Sequence, residues 1–184
     1  SVKTGVNDVL IEDVLGNTRS EEDNSSFYTS SSPSSVSGIF MAVGSGGKII
    51  RSTDNGSSWD NATSCQFSTN LYGITFGNNT FVAVGTDGKI VRSTDNGTNW
   101  DNSTSPTGNG LYGVTFGNNT FVAVGQSGKI VRSTDNASSW DNATSGITDR
   151  LEGVTFGNNT FVGVGDSGKI VRSTDNASSW DNAT

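Results

Sequence analysis

Asp54, Asn55, Asp60 and Asn61 set four hard oxygen donors within eight residues, and the same set returns in three further copies of the phrase. Such oxygens could hold a calcium ion, but the spacing lacks the terminal bidentate glutamate of a calcium loop, so neither a metal nor a cofactor is expected. The chain has no histidine, which removes the commonest general base and metal ligand. Its cations recur in register at Lys48, Lys89, Lys129 and Lys169 and at Arg51, Arg92, Arg132 and Arg172. Each lies near an acid of its own copy, which predicts structural pairing. One register position breaks the uniformity, reading Tyr72, Tyr112 and then Glu152.

Those residues are carried by a repeat. RSTDNGSSWDNAT begins at Arg51, RSTDNGTNWDNST at Arg92, and RSTDNASSWDNAT at Arg132 and Arg172, spacings of 41, 40 and 40. A period of this size means one supersecondary unit stacked on copies of itself. In the third copy, LYGVTFGNN alternates with Tyr112, Val114 and Phe116 on one side. TFVAVG then sets Phe121 and Ala123 against Val122 and Val124, the turn Gln126-Ser127-Gly128 leads into KIVRS, and TDNASS delivers the chain to WDNAT. Short alternating stretches bounded by Gly, Asn, Asp and Ser predict four antiparallel strands, with no sustained helical period. A four-stranded unit of this length is the size of a β-propeller blade, so the expected fold is an all-β propeller. The blades are expected at 38–64 (partial), 71–104, 111–144 and 151–184, after a non-repeating segment 1–37.

Ser52-Thr53-Asp54-Asn55-Gly56-Ser57-Ser58-Trp59 resembles the Asp-box, or BNR repeat, of pattern S-x-D-x-G-x-x-W, and Ser93 to Trp100 matches it equally. Ser133 to Trp140 and Ser173 to Trp180 match with Ala137 and Ala177 in place of glycine. The motif occurs in sialidases, sortilin-like receptors and photosystem II assembly-factor-like propellers, and GITFGNNTFVAVG is most similar to the last kind and to bacterial proteins related to it. Read from the residues, Ser52, Asp54, Trp59 and their counterparts Ser93, Asp95, Trp100, Ser133, Asp135, Trp140, Ser173, Asp175 and Trp180 are structural. The Ser and Asp bond turn N–H groups and the Trp covers the hairpin base. If the glycine site needs positive φ, Ala137 and Ala177 are strained by about 1 kcal/mol each.

The sialidases sharing this motif use an arginine cluster, a Tyr/Glu nucleophile pair and an acidic proton donor. Here Tyr112 with Glu152 is the conceivable pair, and an arginine triad has no source except the repeated strand. No catalytic residue, and no enzyme, is expected.

The formal net charge is −7, of which residues 1–37 carry −4, and no basic stripe offers a site for phosphate backbones. No stretch approaches the ~20 apolar residues of a spanning helix, so neither nucleic acid nor membrane insertion is expected. The start at Ser1 reads as a trimmed N-terminus. VNDVLIEDVL could be a short helix or an added strand, and the Ser-rich, acidic stretch after it reads as a linker. Blade one lacks a clear first strand. Phe27 to Ser32 could supply it with poor alternation, or another chain could, or the blade stays incomplete. The single cysteine, Cys65, reads as incidental.

Comparison of the copies shows where they differ: 65–70, 106–110 and 146–150 between blades, and Thr86-Asp87, Gln126-Ser127 and Asp166-Ser167 between strands two and three. In an up-down meander these loops share one end. Tyr72, Tyr112, Glu152, Asn70, Asn109, Arg150, Asp87, Gln126 and Asp166 are therefore the candidate ligand-binding residues. The expected function is noncatalytic recognition of a protein or glycan through this face, at a cell surface or outside the cell. The alternative is a structural protein whose blades build a homo-oligomeric ring, for instance eight blades from two chains.

Overall fold

A computed structural model describes residues 19–20, 27–31, 38–62 and 68–183. The expected helix or strand over Val6 to Leu15, and Cys65, lie outside the described residues. Strands β1 (Arg19–Ser20), β2 (Phe27–Ser31), β3 (Phe40–Val43), β4 (Ile49–Ser52) and β5 (Asp60–Asn61) form one sheet in that order. Three four-stranded sheets follow. They are β6 (Leu71–Gly77), β7 (Thr80–Gly85), β8 (Ile90–Ser93) and β9 (Asp101–Ser103); β10 (Leu111–Gly117), β11 (Thr120–Gly125), β12 (Ile130–Ser133) and β13 (Asp141–Ala143); and β14 (Leu151–Gly157), β15 (Thr160–Gly165), β16 (Ile170–Ser173) and β17 (Asp181–Asn182). All pairings within these sheets are antiparallel, as the short alternating segments require. These sheets are the blades of a β-propeller.

The first-strand position of blade one is filled by β2, which pairs with β3 in the register Tyr28↔Val43 to Ser31↔Phe40. Its composition, FYTSS, carries none of the apolar alternation of LYGVTFG, which is why sequence left the position open.

Period-two alternation lets each blade build two interfaces from one strand. On β7, Phe81 and Ala83 face Met41, Val43 and Ile49 of blade one, while Val82 and Val84 join Ile90 in facing Leu111, Phe121, Ala123, Val131 and Trp140 of blade three. Val122, Val124 and Ile130 meet Leu151, Phe161, Val171 and Trp180 in the same way. The core is thus three copies of one interblade layer, and β2, β6, β10 and β14 pack against one another in sequence order.

Polar contacts follow the same direction. Sequence predicts pairing within each blade, but Arg51, Arg92 and Arg132 reach forward to the next blade's Asp-box turn. Arg51 Nε donates to the Asn96 carbonyl at 2.7 Å, Arg92 to the Asn136 carbonyl at 3.0 Å and Ser138 Oγ at 2.9 Å, and Arg132 to Ser178 Oγ at 2.9 Å. Parallel bridges Thr104↔Ser139 and Thr144↔Ser179 join the last strand of one blade to the turn of the next.

Closely placed glycines set how near β6, β10 and β14 come to one another. A Cβ on Gly77 or Gly117 would stand inside the ring of Phe116 or Phe156 from the following blade. The same atom on Gly157 would meet nothing within 4 Å, because among the described residues no strand packs on that side of β14.

Candidate functional site

The Asp-box turns build one end of the domain. Ser52 Oγ donates to Asp54 Oδ1 at 2.8 Å and accepts the Gly56 N–H at 2.9 Å, while Ser58 donates to Asp54 through both its N–H and its hydroxyl. The other three copies repeat this with Ser93 and Asp95, Ser133 and Asp135, and Ser173 and Asp175. The carboxylates are thus engaged by their own turns, and Trp100, Trp140 and Trp180 are buried behind them. Among the described residues, no group of three or more His, Cys, Asp and Glu is placed to hold a metal ion.

Hydrogen bonding holds the Asp54, Asp135 and Asp175 carboxyls at about 2, below their ordinary 3.8. The hydroxyls of Ser58, Ser139 and Ser179 contribute most, followed by the N–H groups of the same residues. Asp95 is lowered too: burial is the largest single influence and pushes it up, but the bonds from Asn99, Ser93 and Thr98 together outweigh it. Carboxyls lowered by folding stabilise the fold above their unfolded pKa, and that contribution is lost as pH falls through the folded value. Stability is therefore expected to drop between about pH 4 and pH 2, with a shallower drop in Asp135→Asn. Urea midpoints measured across that window check this. An unchanged slope in the variant would remove the turn carboxyls from the acid response.

The variable loops gather at the opposite end. Thr86, Gln126 and Asp166 donate backbone N–H bonds to the carbonyls of Asn70, Gly110 and Arg150, which ties each turn between second and third strands to the segment entering its blade. Within β6, β10 and β14 the ladder slips by one residue, between Leu71 and Gly73, Leu111 and Gly113, and Leu151 and Gly153. The extra residues are Tyr72, Tyr112 and Glu152. A bulge re-aims the side chain it inserts, so the non-uniform register position is also the one released from the ladder.

Tyr72 and Tyr112 approach with ring centroids 5.4 Å apart. Arg150 lays its guanidinium 5.2 Å from the Tyr112 centroid, pairs with Glu152, and sets Nε 3.5 Å from Asp166 Oδ2. Glu152 first, and then Asp166, raise the Arg150 pKa, with burial opposing them between the two. A continuous aromatic, cationic and acidic strip results, running across blades two, three and four, with Arg150 and Asp166 about half exposed.

Other predicted residues are placed differently. Asn70 Oδ1 accepts the Gly46 N–H at 2.9 Å and so fastens blade two to the turn of blade one. Asn109 is tied to Thr107 through side chain and backbone. Asp87 and Gln126 are exposed at turn tips, but Asp87 sits one residue beyond the register of Gln126 and Asp166, whose counterpart is Thr86. Sequence reasoning missed Asp149, whose carboxylate lies 3.9 Å from Lys169 Nζ beside the strip. Its place in the variable segment 146–150 was the available signal.

Residues 23–153, well over half of the chain, match the family model of the DUF6242 beta propeller domain. The chain belongs to that family. Solved structures similar to this DUF6242 propeller include a YCF48 bound to a D1 peptide, with 17% identity and a TM-score of 0.66 over 84% of this chain and 53% of that one. A YCF48 from Cyanidioschyzon merolae has 17% identity and a TM-score of 0.67, over 88% and 56%. An ancestral GH74 enzyme has 20% identity and a TM-score of 0.70, over 85% and 23%. These likenesses show the propeller fold. The DUF6242 chain spans about half the length of the YCF48 structures it matches. A comparison with curated proteins finds no match.

Proposed function

We propose that this domain is a noncatalytic recognition module that binds a polypeptide segment along the strip of Tyr72, Tyr112, Arg150, Glu152 and Asp166. The observation that carries the reading is the tilted pair of Tyr72 and Tyr112 at the bulges of blades two and three, with Arg150 over the Tyr112 ring and paired with Glu152, the bulge residue of blade four. Aromatic faces flanked by both signs of charge suit an extended backbone with mixed side chains, and Tyr and Arg are the residues that most often anchor such contacts. A similar propeller, YCF48, has been solved with a D1 peptide, which supports a polypeptide over a glycan.

The arginines support the noncatalytic reading. Arg150 is already paired with Glu152 and Asp166, while Arg51, Arg92 and Arg132 bond the Asp-box turns of neighbouring blades. Among the described residues, that leaves no cluster of free guanidinium groups to clamp a substrate carboxylate.

Selection of binders from a random peptide display library, followed by calorimetry, tests the proposal. Tyr112→Ala and Arg150→Ala should each weaken a selected peptide by about tenfold or more with the melting temperature unchanged. Thr134→Ala, in an Asp-box turn, should leave affinity intact. No enriched peptide, or equal loss in all three variants, would sink it.

A further inference from the structure

Among the described residues, three large apolar side chains are exposed: Trp59 at 38%, Val164 at 46% and Ile170 at 42%. They do not scatter. Val164 and Ile170 are the counterparts of Val84 and Ile90 and of Val124 and Ile130, all at 0 to 1% because the following blade covers them. Trp59 is the counterpart of Trp100, Trp140 and Trp180, at 2 to 7% because the preceding blade covers them. The described sheets therefore leave two unlike open faces, each half of an interface that the chain builds three times internally.

The polar half of the junction is open in the same two places. Arg172, exposed, is the one register arginine with no following turn to reach, and the blade-one turn is the one Asp-box turn that no preceding arginine approaches among the described residues. A Cβ on Gly168 would meet nothing within 4 Å, whereas its counterparts Gly88 and Gly128 lie against the Thr107 and Ile147 carbonyls of the segment leading to the next blade.

We propose that these faces dock two copies of this chain head to tail. Val162, Val164 and Ile170 of one copy lie on Phe40, Ile50 and Trp59 of the next, and Arg172 of the first reaches the Asn55 carbonyl and Ser57 hydroxyl as Arg92 reaches Asn136 and Ser138. Continuity with the three internal junctions selects a second copy: blade one offers Phe40, Ile50 and Trp59 where blade three offers Phe121, Val131 and Trp140. On β2, register places Ser31 where Phe116 and Phe156 stand in the internal junctions, so the outer strands and the turn carry the contact. The contact is heterologous, and it extends by one chain at a time until rotation closes a ring.

Light scattering on the full chain tests this. The wild type should have at least twice the 19.1 kDa chain mass, whereas Ile170→Asp and Trp59→Asp should each run as single chains. Both positions are exposed, so circular dichroism should be unchanged, and Arg172→Glu offers a second variant that buries no new charge in the fold. The decisive sample is an equimolar mixture of Ile170→Asp and Trp59→Asp. Each variant keeps the face the other has lost, so the mixture should pair one to one. Four results would each overturn the proposal: a monomeric wild type up to about 100 µM, assembly that survives Ile170→Asp, a mixture that stays monomeric, or loss of fold in Ile170→Asp with full assembly in Arg172→Glu. A monomer would assign the faces to another occupant, such as a further blade of a longer chain.

Discussion

Gly117→Ala is expected to lower the unfolding free energy by about 3 kcal/mol, the upper end of the overpacking range, while Gly157→Ala changes it by no more than about 0.5 kcal/mol. The two glycines occupy the same position at the end of the first strand, and sequence alone gives them equal weight. In blade three the added methyl falls inside the Phe156 ring, whose own position is fixed by Phe161 at a centroid distance of 4.6 Å. Relief requires the ring or the whole blade to move. In blade four nothing stands within 4 Å. Denaturant midpoints of the two variants measure the difference directly. Equal midpoints would mean that the blades are not seated on one another at their first strands.

The second expectation concerns the variable residue of the Asp-box. Gly97→Ala should destabilise by about 2 kcal/mol, Met41→Val by about 1 kcal/mol, and the double variant by clearly less than their sum. The turn takes a left-handed conformation in every blade, with φ of 83° at Gly56, 77° at Gly97, 61° at Ala137 and 62° at Ala177. The alanines are thus on the strained side, at about 1 kcal/mol each. Left-handed φ does not explain why blade two keeps glycine. The preceding blade does: a Cβ on Gly97 would stand 2.6 Å from Met41 Sδ and 2.8 Å from its Cε. In the next two junctions the residue at the Met41 position is Val82 or Val122, each sharing a core cluster with the alanine it faces. A shorter side chain on one blade accompanies a methyl on the next. Strict additivity in the double-mutant cycle would break this link.

The alanines carry a second mark. Trp59 and Trp100 donate their indole N–H to the carbonyls of Gly56 and Gly97 at 3.2 Å, whereas the Trp140 and Trp180 N–H groups are buried without a partner. The alanine turns hold a smaller φ than the glycine turns.

The repeat period and the alternation within it made the blade legible, because both are local. The Ser and Asp roles in the turn were legible for the same reason, since their partners lie within four residues. What sequence misassigned was the relation between blades. Arg92 has Asp95 three residues away and bonds Asn136 and Ser138 instead, at separations of 44 and 46 residues. The variable face was readable from differences among copies, but not the bulge that frees Tyr72, Tyr112 and Glu152, because a one-residue slip leaves no mark in composition. Nor could composition tell Asn70, which latches two blades, from a free ligand contact.

Near-identical tandem units invite unequal recombination, which adds or removes a whole repeat in one event. Loss of blade three would bring Val82 against Ala177, the same pair of side chains already present between blades two and three. Loss of blade two would set Met41 against Ala137, where a methyl occupies the space that Met41 needs and that Gly97 leaves empty. The copies are therefore not interchangeable in a shuffled gene. One seam tolerates a change in copy number, and the other holds the first two units together as an inherited pair.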